Sequence, residues 1–214
     1  MRLGCFRSLA RSPHCAEQQY IGVDVNRYLL REASALVAQQ GLSELITFHE
    51  GNAEALPFPD DHVDVALSFT VLEEGNADRM LHELVRVAKP GGRVAVMVRA
   101  IDIPLVVNLP LSAELKAKTQ VPRGFVGSAR CADAGLYKRF HQFGLIDIQI
   151  WPQFAASQQP STAQAYFAHG AILGALTDSE GEEWKVGMAQ AVLDGTYFIA
   201  QPFHCAAGTK PSRS

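Results

Sequence analysis

Clustered cysteines, a long apolar run and a basic excess are all missing from this 214-residue chain, and each absence excludes something. Cys5, Cys15, Cys131 and Cys205 stand far apart, with no Cys-x-x-Cys or Cys–His spacing. They read as buried or idle thiols rather than metal ligands. No stretch of about 18 apolar residues occurs, so no stable membrane insertion is expected. A net charge of -3 leaves no concentration of Lys and Arg for phosphates, so nucleic acid is not an expected partner. Arg2, Arg7 and Arg11 open the chain, yet no apolar core follows as a secretory signal requires, so a cytoplasmic location is expected. Glycine is scarce where it matters: "RLGCFRSLARS" at residues 2–12 has only Gly4.

What is present suits a folded protein. Hydrophobic residues make up 48% and charged residues 19%, and the length fits one domain with room for a small subdomain. "YIGVDV" is a short apolar run ending in an acid, and the next stretch carries Leu29, Leu30, Ala33, Leu36 and Val37 at helical spacing. Asn26 suits the N-cap and Gly41 the stop. A brief strand follows at 45–49. "HVDVALSFT" reads as a central parallel strand covered on both faces. "NADRMLHELVRVA" predicts a helix broken by "KPGG", and "RVAVMVRA" predicts the next buried strand. This alternation predicts an α/β fold: a Rossmann-like, doubly wound, mainly parallel sheet with helices on both faces.

Beyond residue 101 the proline-punctuated sequence looks more like a lid or substrate-facing insertion than a sheet element. Helices are expected near 131–145, 161–176 and 179–193, and a strand at "IDIQIW". "TYFIAQPFHCAAGTKP" reads as an edge or penultimate strand running into a solvated tail. The expected organisation is a cofactor-loop region at 1–19, a Rossmann-like core at 20–100, and a lid with the rest of the same domain at 101–214.

In a doubly wound sheet, ligands bind beyond the carboxyl ends of the strands. Asp24, Asn52-Ala53 and Ser68-Phe69 share that rim. A strand-end acid can accept two hydrogen bonds from a vicinal diol, and an amide with a backbone N–H suits an adenine edge. The pattern points to an adenosine-containing cofactor.

"YIGVDVNRYLLREA", "GNAEALPFPDDHVDVALSFTVLEE" and "ELVRVAKPGGRVAVMVRA" resemble the class I S-adenosylmethionine-dependent methyltransferases, closest to the ubiquinone and menaquinone C-methyltransferase branch. The resemblance covers residues 20–100. It implies S-adenosyl-L-methionine as cofactor, with Asp24 on the ribose hydroxyls and Val25 or Asn26 against the adenine. It puts Asn52 where relatives carry Asp, and Ala53 offering its N–H to the ring. Asn can still accept through its carbonyl oxygen, without the charge. Ser68 and Phe69 would lie beside the sulfonium, and Glu74 stands where relatives often have His.

Relatives begin with an acid-x-Gly-x-Gly-x-Gly loop whose glycines let backbone approach the ligand. Aligning "RLGC" with "DLGC" puts Arg2 at the acid and Gly4, Phe6 and Ser8 at the three glycines, with Gly4 20 positions before Asp24. The spacing suits a decayed cofactor loop; an unrelated start is the alternative. Either way the first strand and the N-terminal cap helices are expected to be largely missing.

The expected reaction is methyl transfer to a small, hydrophobic organic acceptor, by in-line displacement with donor and acceptor held at near-attack distance. Ile103, Leu105, Trp151, Phe154, Tyr166 and Phe167 could line an apolar acceptor site or simply fill core and lid. His141 and His204 are candidate bases, each more readily structural or surface, and His82 belongs on an exposed helix face; no catalytic residue is assigned. The alternative is a catalytically impaired relative retaining only the adenosine half-site. A nicotinamide dehydrogenase is disfavoured, because its glycine fingerprint is equally absent and "KPGG" before a strand belongs to the methyltransferase pattern. The acceptor's identity and the oligomeric state are not legible.

Overall fold

A computed structural model describes residues 19–122 and 126–212. The first strand β1 (Tyr20–Asp24) leads into helix α1 (Arg27–Gln39), and β2 (Ile46–Glu50) returns parallel to β1. The Asn26 side chain accepts from the N–H groups of Tyr28 and Leu29, satisfying the first donors of α1 as its sequence predicts. The helix yields to Gly41 at φ +68°, a conformation that suits glycine.

A five-stranded sheet forms the rest. β3 (Val63–Phe69) pairs in parallel with β4 (Ala88–Arg99) after a crossover through α2 (Ala77–Val87). Asn76 caps α2, which buries Met80, Leu81, Leu84 and Val87 on one stripe. The helix ends before "KPGG", and Gly92 cannot be replaced there: a Cβ would stand 2.8 Å from the Lys89 carbonyl oxygen. Then come β5 (Val106–Asn108), α3 (Ala113–Thr119), α4 (Gly135–Gln142), β6 (Ile146–Ser157), α5 (Ala163–Leu173), α6 (Asp178–Leu193) and β7 (Phe198–Thr209).

The α/β class and the parallel βαβ pairings are as the alternation predicts. Among the described residues, the three antiparallel strand pairings all belong to β7, which bonds to β4, β5 and β6. β7 therefore lies inside this sheet, next to last with β6 beyond it, and is buried from Ile199 to Gly208. Of the two places expected for it, edge or penultimate, it takes the penultimate one. Gln201, Pro202 and His204 break its apolar pattern, but β4 and β6 cover it from either side.

Two cores hold the molecule. One lies between α2, α4 and the sheet, around Leu72, Leu81, Val94, Val98, Leu136 and Phe140. The other joins Leu105, Leu109, Leu111 and Leu115 to Ile172, Trp184 and Tyr197. Part of the segment after residue 101 belongs to the sheet, where only a lid or insertion was expected: Val106–Asn108 extends it, and the flanking leucines are core.

β3 also departs from expectation. Val65, Leu67 and Phe69 are 52%, 54% and 57% exposed, so one face of this apolar run is uncovered among the described residues. Likewise α1 buries none of its residues. No hydrogen bonds join the β1–β2 pair to the larger sheet among the described residues. The expected loss of a first strand falls on residues 1–18, outside the described residues, as do Arg2, Gly4, Phe6 and Ser8. No helix among the described residues is long and apolar enough to cross a membrane.

Candidate functional site

The β1–β2 unit and β3 face each other across a cavity of about 1470 Å³. Its walls include the apolar side chains of β1 and β3 and the inner stripe of α1 (Ala33, Leu36 and Val37). Asp24, Val25, Asn52, Ala53, Ser68 and Phe69 all line it, so the structure brings together six of the eight residues singled out from sequence. Asn26 does not line the cavity; its amide oxygen is turned into the first turn of α1. Gly4 lies outside the described residues.

Asp24 ends β1 with its Oδ1 accepting from the Asn26 N–H at 2.7 Å. That bond holds the carboxylate at the rim and leaves Oδ2 with no partner among the described residues. Asn52 uses its Oδ1 to accept from the Glu54 N–H at 2.8 Å. Its amide oxygen is therefore partly engaged in its own turn, and its NH2 is the freer end.

The loop carrying Asn52 and Ala53 is tied to α2 from below. Arg86 donates to the carbonyls of Leu56 and Phe58 and to the carboxylates of Glu83 and Asp60. Glu83 also accepts from the Leu56 N–H, and Glu54 accepts from the Asn76 N–H. These bonds make the loop a fixed wall. Gly75 completes it: a Cβ there would meet Glu54 Oε1 and Met80 Cε within 2.7 Å.

Strain and a costly charge meet at the end of β3. Thr70 holds φ +56°, an outlier for a β-branched residue, while its N–H donates to the Met97 carbonyl at 2.7 Å. Glu73 is buried with Oε1 accepting from Arg99 Nη1 at 2.8 Å, and Oε2 has no partner among the described residues. Burial pushes its carboxyl up to about 7, outweighing the pull of Arg99. Glu74 lines the cavity and lies 3.7 Å from Arg99.

The residues considered for an acceptor site scatter. Leu105 is core, while Trp151, Phe154 and Tyr166 are exposed on β6 and α5; the side chain of Phe167 is outside the described set. His82 is exposed on α2 as expected, and His141 is exposed on α4. His204 is buried and bonded to Asp102 and Tyr137, a grouping that sequence reasoning missed. The three residues are far apart in the chain, and only β4, β7 and α4 packing together joins them.

Residues 3–96 match the protein family described as a methyltransferase domain. This match covers less than half of the chain. Among curated relatives, the chain is 31% identical over 121 residues to a ubiquinone/menaquinone biosynthesis C-methyltransferase of Pectobacterium carotovorum, covering 56% of this chain and 47% of that one. It is 37% identical over 83 residues to the Marinomonas enzyme of the same description, covering 38% of this chain and 33% of the relative. The chain thus matches less than half the length of these relatives.

Solved structures extend the likeness past residue 96 at the level of fold. The YcgJ protein of Bacillus subtilis superposes with a TM-score of 0.56 at 18% identity, over 92% of this chain and 84% of that one. The [4+2]-cyclase SpnF superposes at 0.51 with 20% identity, over 92% and 68%. A likeness of fold does not by itself specify a reaction, which has to be read from the site.

Proposed function

We propose that this domain binds S-adenosyl-L-methionine across the cavity between β1 and β3 and transfers its methyl group to a small, predominantly apolar organic acceptor. The observation carrying this reading is the convergence of Asp24, Asn52-Ala53 and Ser68-Phe69 on one rim. Asp24 has a carboxylate oxygen to spare for a ribose diol, and hydrogen bonds to a charged acceptor are the stronger kind. Val25 and Ala53 offer an apolar edge and a backbone N–H to the adenine, with the Asn52 amide beside it. Ser68 and Phe69 flank the methyl-bearing sulfur. The bound cofactor supplies an electrophilic methyl group on a sulfonium; the protein's part is to orient the acceptor and exclude water. Apolar walls suit an acceptor of low polarity, and the likeness over 121 residues to a ubiquinone/menaquinone C-methyltransferase supports the same class.

Calorimetric titration with S-adenosylhomocysteine tests the reading. Binding below about 1 mM is expected, with Asp24→Ala weakening it by about 2 kcal/mol, roughly thirtyfold. A folded chain that shows no heat of binding would sink the proposal.

A further inference from the structure

The charged side chains lining the cavity between β1–β2 and β3 are all of one sign. Among the described residues they are Asp24, Glu54 and Glu74, and no Lys, Arg or His joins them. Apolar walls around like charges concentrate their field on whatever enters. The three acids are not equally committed. Asp24 Oδ1 accepts from the Asn26 N–H, at the end of the rim assigned to the ribose. Glu54 accepts from the Asn76 N–H at 2.8 Å, and Arg79 stands 3.6 Å from its other oxygen. The Glu74 side chain is 67% exposed and accepts no hydrogen bond among the described residues.

Glu73 is what leaves Glu74 uncommitted. Arg99, at the end of β4, reaches both: its Nη1 bonds Glu73 Oε1 at 2.8 Å but stands 3.7 Å from Glu74 Oε1. Glu73 is buried, and attraction between opposite charges is stronger out of water than in it. Arg99 is therefore drawn to Glu73, and Glu74 keeps most of its charge. Neither Arg79 nor Arg99 lines the cavity, so both cations lie behind its wall. Glu74 also stands at the transfer end. It follows Ser68 and Phe69, the pair assigned to the sulfur, in one segment, and Val71 and Gly75 continue the same wall. The Glu74 N–H donates to the Val71 carbonyl at 2.9 Å, which fixes the residue there.

We propose that Glu74 makes the cavity charge-selective for its cofactor, favouring S-adenosyl-L-methionine, which carries a sulfonium, over S-adenosylhomocysteine, which does not. The inference rests on the methyltransferase reading above. On transfer the S–CH3 bond breaks and its electron pair stays on sulfur, while the methyl group bonds to an electron pair of the acceptor. The sulfonium becomes a neutral thioether. The positive charge passes to the acceptor with the methyl group and leaves it as a proton to water. The cofactor thus loses one unit of charge beside a carboxylate, and transfer itself loosens the spent form. Glu74 is a specificity residue that separates donor from product.

The test is calorimetric titration of the full chain at about pH 8, where Glu73 is ionised and holds Arg99. Three probes are compared: S-adenosyl-L-methionine, S-adenosylhomocysteine, and sinefungin, in which an ammonium on carbon replaces the methylsulfonium. Both cationic probes are expected to bind about fivefold more tightly than S-adenosylhomocysteine, the effect of a unit charge pair a few ångströms apart in water. Glu74→Gln, at an exposed position, is expected to fold as the parent does and to bring that ratio to about one. Its affinity for S-adenosylhomocysteine stays within about twofold of the parent's, because the neutral thioether draws little from the carboxylate. Raising the salt from about 0.05 M to about 1 M moves the parent's ratio toward the variant's. Equal affinities in the parent, tighter binding of S-adenosylhomocysteine, or a ratio that Glu74→Gln leaves unchanged overturns the charge selection while the methyltransferase reading stands. A folded chain that binds none of the three removes the methyltransferase reading and this inference with it.

Discussion

Trp184→Ala is expected to lower the unfolding free energy by about 4 kcal/mol, seen as a lower denaturant midpoint. Trp184 is fully buried and is the largest side chain of the core formed by α5, α6 and the leucines of 105–115. Its removal forfeits the apolar transfer energy, opens a cavity between two helices and takes the indole donor from His169 Nδ1. Trp184→Phe separates these causes. It retains most of the volume and loses the N–H, so a cost of about 1–2 kcal/mol is expected. A loss below about 1 kcal/mol for Trp184→Ala would show that this core unfolds apart from the main sheet, so that the transition is not one cooperative event.

The same core carries a pH response. Burial holds the His169 imidazole below its ordinary 6.5, and its bond from Trp184 requires the neutral ring. The unfolded chain takes up a proton near 6.5 and the folded chain does not. This contribution is therefore complete above 6.5 and is lost as the pH falls toward the lower folded value.

Glu73→Gln is expected to reverse a pH trend rather than simply weaken the fold. The Glu73 carboxyl titrates at about 7 when folded, against 4.5 ordinarily, because it is buried with one oxygen unpartnered. A raised acid favours the folded state below 4.5 and loses that advantage as the pH rises through about 7. The range corresponds to roughly 3 kcal/mol. Glutamine keeps a carbonyl for Arg99 and cannot ionise. The difference in urea midpoint between Glu73→Gln and the parent should grow in the variant's favour from pH 4.5 to about 8. Taking the difference cancels the opposite trend of carboxylates such as Glu180, which Lys118 and the capping box of α6 hold down at about 2. A difference that does not change with pH would mean that Glu73 ionises freely, as it would if water reached Oε2.

Much of the first hundred residues was legible because their signals are local. Asn26 and Asn76 cap the helices they precede, since a cap needs only the two or three residues that follow it. Asp24, Asn52 and Ser68 share a rim because each lies at or just beyond a parallel strand's carboxyl end. The rest was not legible because it depends on what covers what. "HVDVALSFT" has the composition of a doubly covered strand, yet Val65, Leu67 and Phe69 lack cover among the described residues. "TYFIAQPFHCAAGTKP" has the polar interruptions of an edge strand, yet β4 and β6 enclose it. Burial of His204 and Gln201 is tolerated because both find hydrogen-bond partners there, which a periodicity argument cannot see.

The sequence by itself determined the βαβ alternation, the helix caps, the break at "KPGG" and the strand-end acid, each written within a few neighbouring residues. Only the tertiary structure decided that β7 takes the penultimate place rather than the edge, and that Leu105, Leu109, Leu111 and Leu115 are core. It alone brought Asp102, Tyr137 and His204 within hydrogen-bonding reach. The physical reason is range: a cap or a strand period is fixed by adjacent backbone, whereas contacts 67 and 102 residues apart exist only once the sheet has closed around β7.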